Sequence, residues 1–352
     1  MKKIFYILIL TSLIFAGCSK TSSSKSDKIK VAGLIRTDKE TFIVAYTNAL
    51  KKAAERENVD LSICISNDDA AVQIDQVKTM LNSGIKYFVI TAVDSSITEQ
   101  IAKIIHSQGG AAAFSNIVPS DAALDVGKNF FYSSSSEIAA GEFQAQILEE
   151  YFKKNPGKLS GKTINILYLN GEYGHSAQIF RRQGFMNGME ARGYAVKVLG
   201  EGGANWNFDS ARQIISSFLP EYGSQMNAII CQNDDMALGS LAALDDAKYF
   251  SQTDNDGDGT IYKVPVIGVD ATDKAKESVQ ENKLYATVLQ DAEGQASTAL
   301  ELVVQIAKTG ITRGFVTSNG VKAATEVTGE SPLTRASILE QCFMVPFVPI
   351  TE

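Results

Sequence analysis

From Ile29 onward the chain alternates short, continuously apolar runs with amphipathic stretches of helical period, and that alternation limits it to a small set of folds. IKVAGLI precedes a helical pattern over 40–57, DLSICIS a helix over 70–82 and KYFVITAV a helix over 97–108; GAAAFS follows. A strand that is apolar at every position, rather than at every second one, is buried on both faces. Such strands require a parallel sheet with helices on each side. After 130–133 the pattern restarts, with Ser134 and Glu137 reading as an S-x-x-E capping box for a helix to Lys153. TINILYLNG, a helix over 176–192, AVKVLGE, a helix over 209–219, AIICQN, a helix over 234–247, VPVIGVD, a helix over 274–282 and ATVLQD complete a second series. The prediction is an α/β protein with two doubly wound parallel-sheet domains, and 352 residues suffice for two cores at roughly 150 residues each.

The N-terminus is read separately. Lys2 and Lys3 are followed by the apolar run 4–15 and by Ala16, Gly17 and Cys18. As a helix this run is about 18 Å long, short of the roughly 30 Å hydrocarbon core, so a secretory signal is predicted rather than a membrane span. Small residues before a cysteine resemble the bacterial lipoprotein signal, which implies removal of residues 1–17 and a lipid on Cys18. The polar stretch to Lys28 then forms a flexible tether (18–28), and the protein is expected outside the cytoplasm, lipid-anchored at a bacterial membrane, in the periplasm or on the cell surface. Lys and Arg total 33 against 40 Asp and Glu, a net charge of −7 that argues against a nucleic-acid partner. Cys64, Cys231 and Cys342 lie in apolar runs without metal spacing, so buried, inert thiols are expected.

Ligands of open parallel sheets bind beyond the carboxyl ends of the strands. Those positions hold Glu40 and Phe42, Asp94, Ser115 and Asn116, then His175 and Arg181, Trp206, Asn233 and Asp234, Asp270, and Gln290 and Asp291. Carboxylates, amides and Arg can each engage two adjacent hydroxyls, and two aromatics can sandwich the C–H faces of a pyranose, so the set suits a monosaccharide. Taken singly, Asp94, Asp234 and Asp270 also fit helix caps and Phe42 fits a helix core; Trp206, between two asparagines in a Gly-rich loop, has no helical face to join.

KVAGLIRTDKETF, AFSNIVPS, NGEYGHSAQIFR, NWNFDSA, CQNDDMALG, VPVIGVDA, TVLQDA and MVPFV together resemble the ribose- and galactose-type solute-binding proteins of ABC sugar importers, the galactose/glucose binders in particular. The resemblance implies a type I periplasmic binding protein fold whose lobes comprise 29–133 plus 291–342 and 134–290 plus 343–352, joined by a three-segment hinge. It also implies that Phe42 and Trp206 stack on a D-galactose or D-glucose ring while Asn116, His175, Arg181, Asn233 and Asp270 bond its hydroxyls. Glu40, Ala177 and Gln290 depart from the pattern, standing where the galactose/glucose binders have Asp, Asp and Asn. Gln290 is the type seen in ribose binders, which keeps ribose or another pentose as the alternative. The implied partners are an ABC permease in the membrane and a chemoreceptor as an optional second one, with a monomeric receptor.

Catalysis has little support. GHSAQ at 174–178 comes close to a G-x-S-x-G nucleophile elbow at Ser176, but its last Gly is Gln and the only other histidine, His106, falls in the opposite half. NTPase, zinc-protease and dinucleotide motifs are lacking. Asp254, Asp256 and Asp258 lie in a D-x-D-x-D-G run, which has calcium-loop spacing, so a structural Ca2+ is expected there; the position of the usual twelfth-residue Glu falls on Pro265.

Overall fold

The structure, a computed structural model, describes residues 28–253, 260–324 and 336–351. The signal segment with Cys18 and the run holding Asp254, Asp256 and Asp258 lie outside them. The first series folds as β1 (Lys30–Ile35), α1 (Thr41–Arg56), β2 (Asp60–Ile65), α2 (Ala70–Asn82), β3 (Tyr87–Thr91), α3 (Thr98–Ser107), β4 (Ala111–Ser115), α4 (Asp121–Asp125) and β5 (Phe130–Ser134). A second lobe follows: α5 (Glu137–Lys154), β6 (Thr163–Asn170), α6 (Ser176–Ala191), β7 (Ala195–Gly203), α7 (Phe208–Tyr222), β8 (Ala228–Cys231), α8 (Asp234–Asp246), β9 (Phe250–Thr253), β10 (Thr260–Tyr262), β11 (Val266–Ile267), α9 (Asp273–Gln280) and β12 (Thr287–Leu289). The chain then returns to the first lobe with α10 (Ala292–Thr309) and β13 (Cys342–Met344), and crosses back to place β14 (Val348–Ile350) on β12.

The first sheet has the order β13-β5-β4-β3-β1-β2 with every pairing parallel. Its strands read as unbroken apolar runs because neighbouring residues serve different cores. Phe130 and Tyr132 pack with Phe88, Phe114 and Ile101 on one face, while Phe131 packs with Tyr46, Leu50, Val303 and Phe343 on the other. The second sheet, β11-β8-β6-β7, is also parallel and continues to β12 through the Ile267–Ala286 and Asp270–Leu289 bridges. Three crossings join the lobes: residues 135–136, 290–291 and 345–347.

The structure corrects four local expectations. Ser134 is the last residue of β5 and not a cap; Ser136 caps α5 by accepting from the Ala139 N–H, and Glu137 turns inward. Helix α7 runs past Leu219 through Pro220 and ends two residues later, at Tyr222. Edge strands β2 and β7 are only partly buried, since each lacks a neighbour on one side. Cys64, on β2, is therefore half-buried, whereas Cys231 and Cys342 are buried, their thiols pushed up to about 12 by burial; none of the three is in a disulfide.

Candidate functional site

The carboxyl ends of both sheets face one another across a narrow cleft between the lobes. Glu40, Phe42 and Asn116 line it from the first lobe; His175, Ala177, Arg181, Trp206, Asn233 and Asp270 line it from the second, and Gln290 from a crossing. Nine of the thirteen strand-end residues singled out in the sequence thus meet at one place, while Ser115 is buried and donates to the Ser133 carbonyl. Asp94, Asp234 and Asp291 do not join them. Asp94 accepts from Ser96 N–H, as the capping reading has it, and Asp291 caps α10 through Gly294 N–H. Asp234 is fully buried, accepting from Thr287 Oγ1 and Thr272 N–H.

Phe42 and Trp206 are each both core and wall. Phe42 belongs to the apolar core of α1, and Trp206 to that around α7 and α8. The indole lies against the chain at Gly171, where a Cβ would come within 2.0 Å of the ring. Its other neighbours are the His175 ring, edge-on at 5.2 Å, and the Arg181 guanidinium at 5.8 Å. Asn116, Trp206 and Asp270 hold positive φ values of 66°, 61° and 116°. Such backbone is costly for Trp and Asp, and it persists where the surrounding fold over-determines it, characteristically at ligand clamps.

Two lining residues divide their atoms between fold and cleft. His175 Nδ1 accepts from Ala177 N–H at 3.0 Å and so caps α6, which leaves Nε2 with the proton as a donor. Burial first, then the charges of Arg36 and Arg181, hold its pKa well below the usual value, so the ring is neutral. Asn233 Oδ1 caps α8 through Met236 N–H, and its Nδ2 reaches the Trp206 carbonyl at 3.3 Å. Asn116 Oδ1, Trp206 Nε1 and Gln290 Nε2 are buried without a protein partner, one acceptor and two donors of the kind that sugar hydroxyls satisfy.

Arg181 carries the charge of the cleft floor. Its Nε donates to Glu137 Oε2 at 2.6 Å, Nη2 to Gln290 Oε1 at 2.8 Å and Nη1 to the Gln232 carbonyl, with Asp270 Oδ1 at 3.7 Å. Burial raises the Asp270 carboxyl well above the carboxylate range, opposed by Arg181 and reinforced by Asp234, Asp235 and Glu137. On the facing lobe, Arg36 donates to Glu40 and, at 2.7 Å, to Asp68, and lies 3.9 Å from Glu172 of the second lobe. Burial raises the Glu40 pKa and Arg36 draws it back. The sequence reading missed Arg36, Glu137 and Gly171. Arg36 and Gly171 directly follow strands β1 and β6, so the strand-end rule that found the others applies to them; nothing in the sequence ties Glu137 to Arg181.

A cleft between two parallel α/β lobes, joined by three crossings, walled by two aromatics and floored by groups able to hydrogen-bond hydroxyls, has the form of a solute-binding receptor. The family model for the periplasmic binding protein domain matches residues 32–311, and the chain belongs to that family, in its ribose/galactose-type group of ABC-importer receptors. It is 26% identical to the xylitol-binding protein of Mycolicibacterium smegmatis over 83% of this chain and 76% of that one. To the D-galactose/methyl-galactoside binding periplasmic protein of Haemophilus influenzae it is 25% identical, over 88% and 90%. The fold is shared with an ABC transporter solute-binding protein from Bacillus halodurans, solved with bound myo-inositol, at a TM-score of 0.70 and 24% identity over 93% and 96%. The protein is an extracytoplasmic sugar-binding receptor of an ABC importer and not an enzyme, which removes the hydrolase reading at Ser176. Ser176 Oγ instead accepts from Val118 N–H across the cleft.

Proposed function

We propose that this receptor is lipid-anchored at Cys18 and closes on one pyranose, D-galactose or D-glucose, for delivery to its permease. The placement of Phe42 and Trp206 on opposite lobes, with Glu40, Asn116, His175, Arg181, Asn233, Asp270 and Gln290 between them, carries this reading. A pentose such as ribose is the second reading, favoured by the longer amide of Gln290. Calorimetry with D-galactose, D-glucose, D-ribose and xylitol separates them. Heat from a hexose is expected, and no heat from any hexose at millimolar concentration would rule out the first reading. A calcium ion held by Asp254, Asp256 and Asp258 completes the proposal: calcium should raise the melting temperature, EDTA should reverse the shift, and an Asp256→Asn, Asp258→Asn variant should show none.

A further inference from the structure

Arg181 lies beside all three lobe crossings and bonds one of them directly, at Gln290. Glu137, which receives its Nε–H at 2.6 Å, opens α5 immediately after crossing 135–136. Gln290, which receives Nη2–H at 2.8 Å, lies in the second crossing. Phe347, in the third, stands 5.9 Å from the guanidinium carbon. The guanidinium is planar with its donors in a fixed fork, so these three anchors set its orientation together. Three of its five N–H groups go to Glu137, Gln290 and the Gln232 carbonyl, and the others remain for a molecule in the cleft that Arg181 lines. Glu137 is 1% exposed, does not line the cleft, and has its second oxygen, Oε1, buried without a partner. A carboxylate so placed depends on Arg181, because losing one member of a buried pair leaves the other charge uncompensated.

We infer that Glu137 is a positioning residue that makes Arg181 the link between sugar binding and lobe closure: a ligand that bonds Arg181 fixes the guanidinium, and through Glu137, Gln290 and Phe347 fixes the backbone of the three crossings in the closed arrangement. The inference rests on the proposed function. Lobe 2 alone supplies the Glu137–Arg181 pair, so the coupling acts where α5 leaves the first crossing and not by bridging the cleft.

The test combines calorimetry with small-angle scattering on the full mature chain, using whichever panel sugar the wild type binds. Wild type should contract on saturation. Glu137→Gln keeps the shape and one acceptor oxygen but removes the charge; it should bind about tenfold more weakly and, at saturation, contract by less than half as much. Glu137→Asp should regain part of both. A residue that merely supports the fold would lower the melting temperature or the affinity and leave the contraction at saturation intact, so full contraction of saturated Glu137→Gln overturns the inference. If that variant does not fold, Phe347→Leu, which removes the ring at the third crossing, replaces it; incomplete contraction supports the coupling and full contraction overturns it. A wild type that binds none of the sugars overturns the proposed function, and the coupling with it, whereas binding with normal contraction in the variants overturns the coupling alone.

Discussion

His175 gives one ring nitrogen to the fold and the other to the cleft, and that division has a pH signature. Its folded pKa is depressed, so between about 6.5 and that lower value the unfolded chain binds more protons than the native one. Stability present above pH 6.5 is therefore lost as the pH falls below it, by up to about 1.4 kcal/mol per unit. Urea melts from pH 7 to 5 should show this slope reduced in His175→Gln, and equal slopes would contradict a buried, neutral ring. Trp206 is the only tryptophan, so its emission reports the site directly. Trp206→Ala should weaken sugar binding by about 1–3 kcal/mol through lost apolar contact. Gly171→Ala should abolish the emission response without touching Trp206, since the new methyl claims the place of the ring. At this scale the sequence was most informative where a polar or aromatic residue follows a strand. It was least so for Arg36, which sits in the polar run IRTDKE yet is buried, because two of its three carboxylates, Asp68 and Glu172, come from segments far from it in the chain.

Helices α5 and α6 approach through glycine. A Cβ on Gly184 would stand 2.0 Å from the Ile138 carbonyl, and one on Gly141 would stand 2.0 Å from the Arg181 carbonyl, so neither position tolerates a side chain without parting the helices. This contact brings Arg181 of α6 to Glu137 of α5. Gly184→Ala should cost about 1–3 kcal/mol in a thermal or denaturant melt and weaken sugar binding as well. Unchanged affinity in a destabilised Gly184→Ala would mean that the pair survives the shift. The capping box was misplaced because S-x-x-E fits Ser134 with Glu137, whereas the strand ends at Ser134 and the cap falls two residues on, at Ser136. Local spacing does not record that Glu137 has a buried Arg to meet. The strands were legible because each neighbouring pair of apolar residues feeds two cores, and the edges β2 and β7 were not, because exposure on one side depends on which strand lies at the end of the sheet.

Across the whole molecule, closure is held by contacts at the rims of the cleft. Thr41 Oγ1 donates to Asp235 Oδ2 at 2.6 Å, Val118 N–H reaches Ser176 Oγ at 3.4 Å, and Arg36 faces Glu172. Thr41→Val removes one such bond without altering any group that lines the cleft. It should weaken binding by about 0.5–1 kcal/mol in calorimetry while leaving the melting temperature without sugar unchanged, and a fall in that temperature would show that the bond supports the lobe itself.

The return of α10 and β13 to the first lobe sets the order in which the protein can be made. Ala299, Leu300, Val303 and Phe343 complete the core that Tyr46 and Leu50 begin, and β13 covers the outer edge of β5. A chain threaded N-terminus first across a membrane presents that lobe with a bare sheet edge and an unfilled face until residue 344 has emerged. The second lobe likewise waits for β14. Neither lobe has its full core or sheet until the last segments of the chain are available, so the two lobes finish folding together and not one after the other.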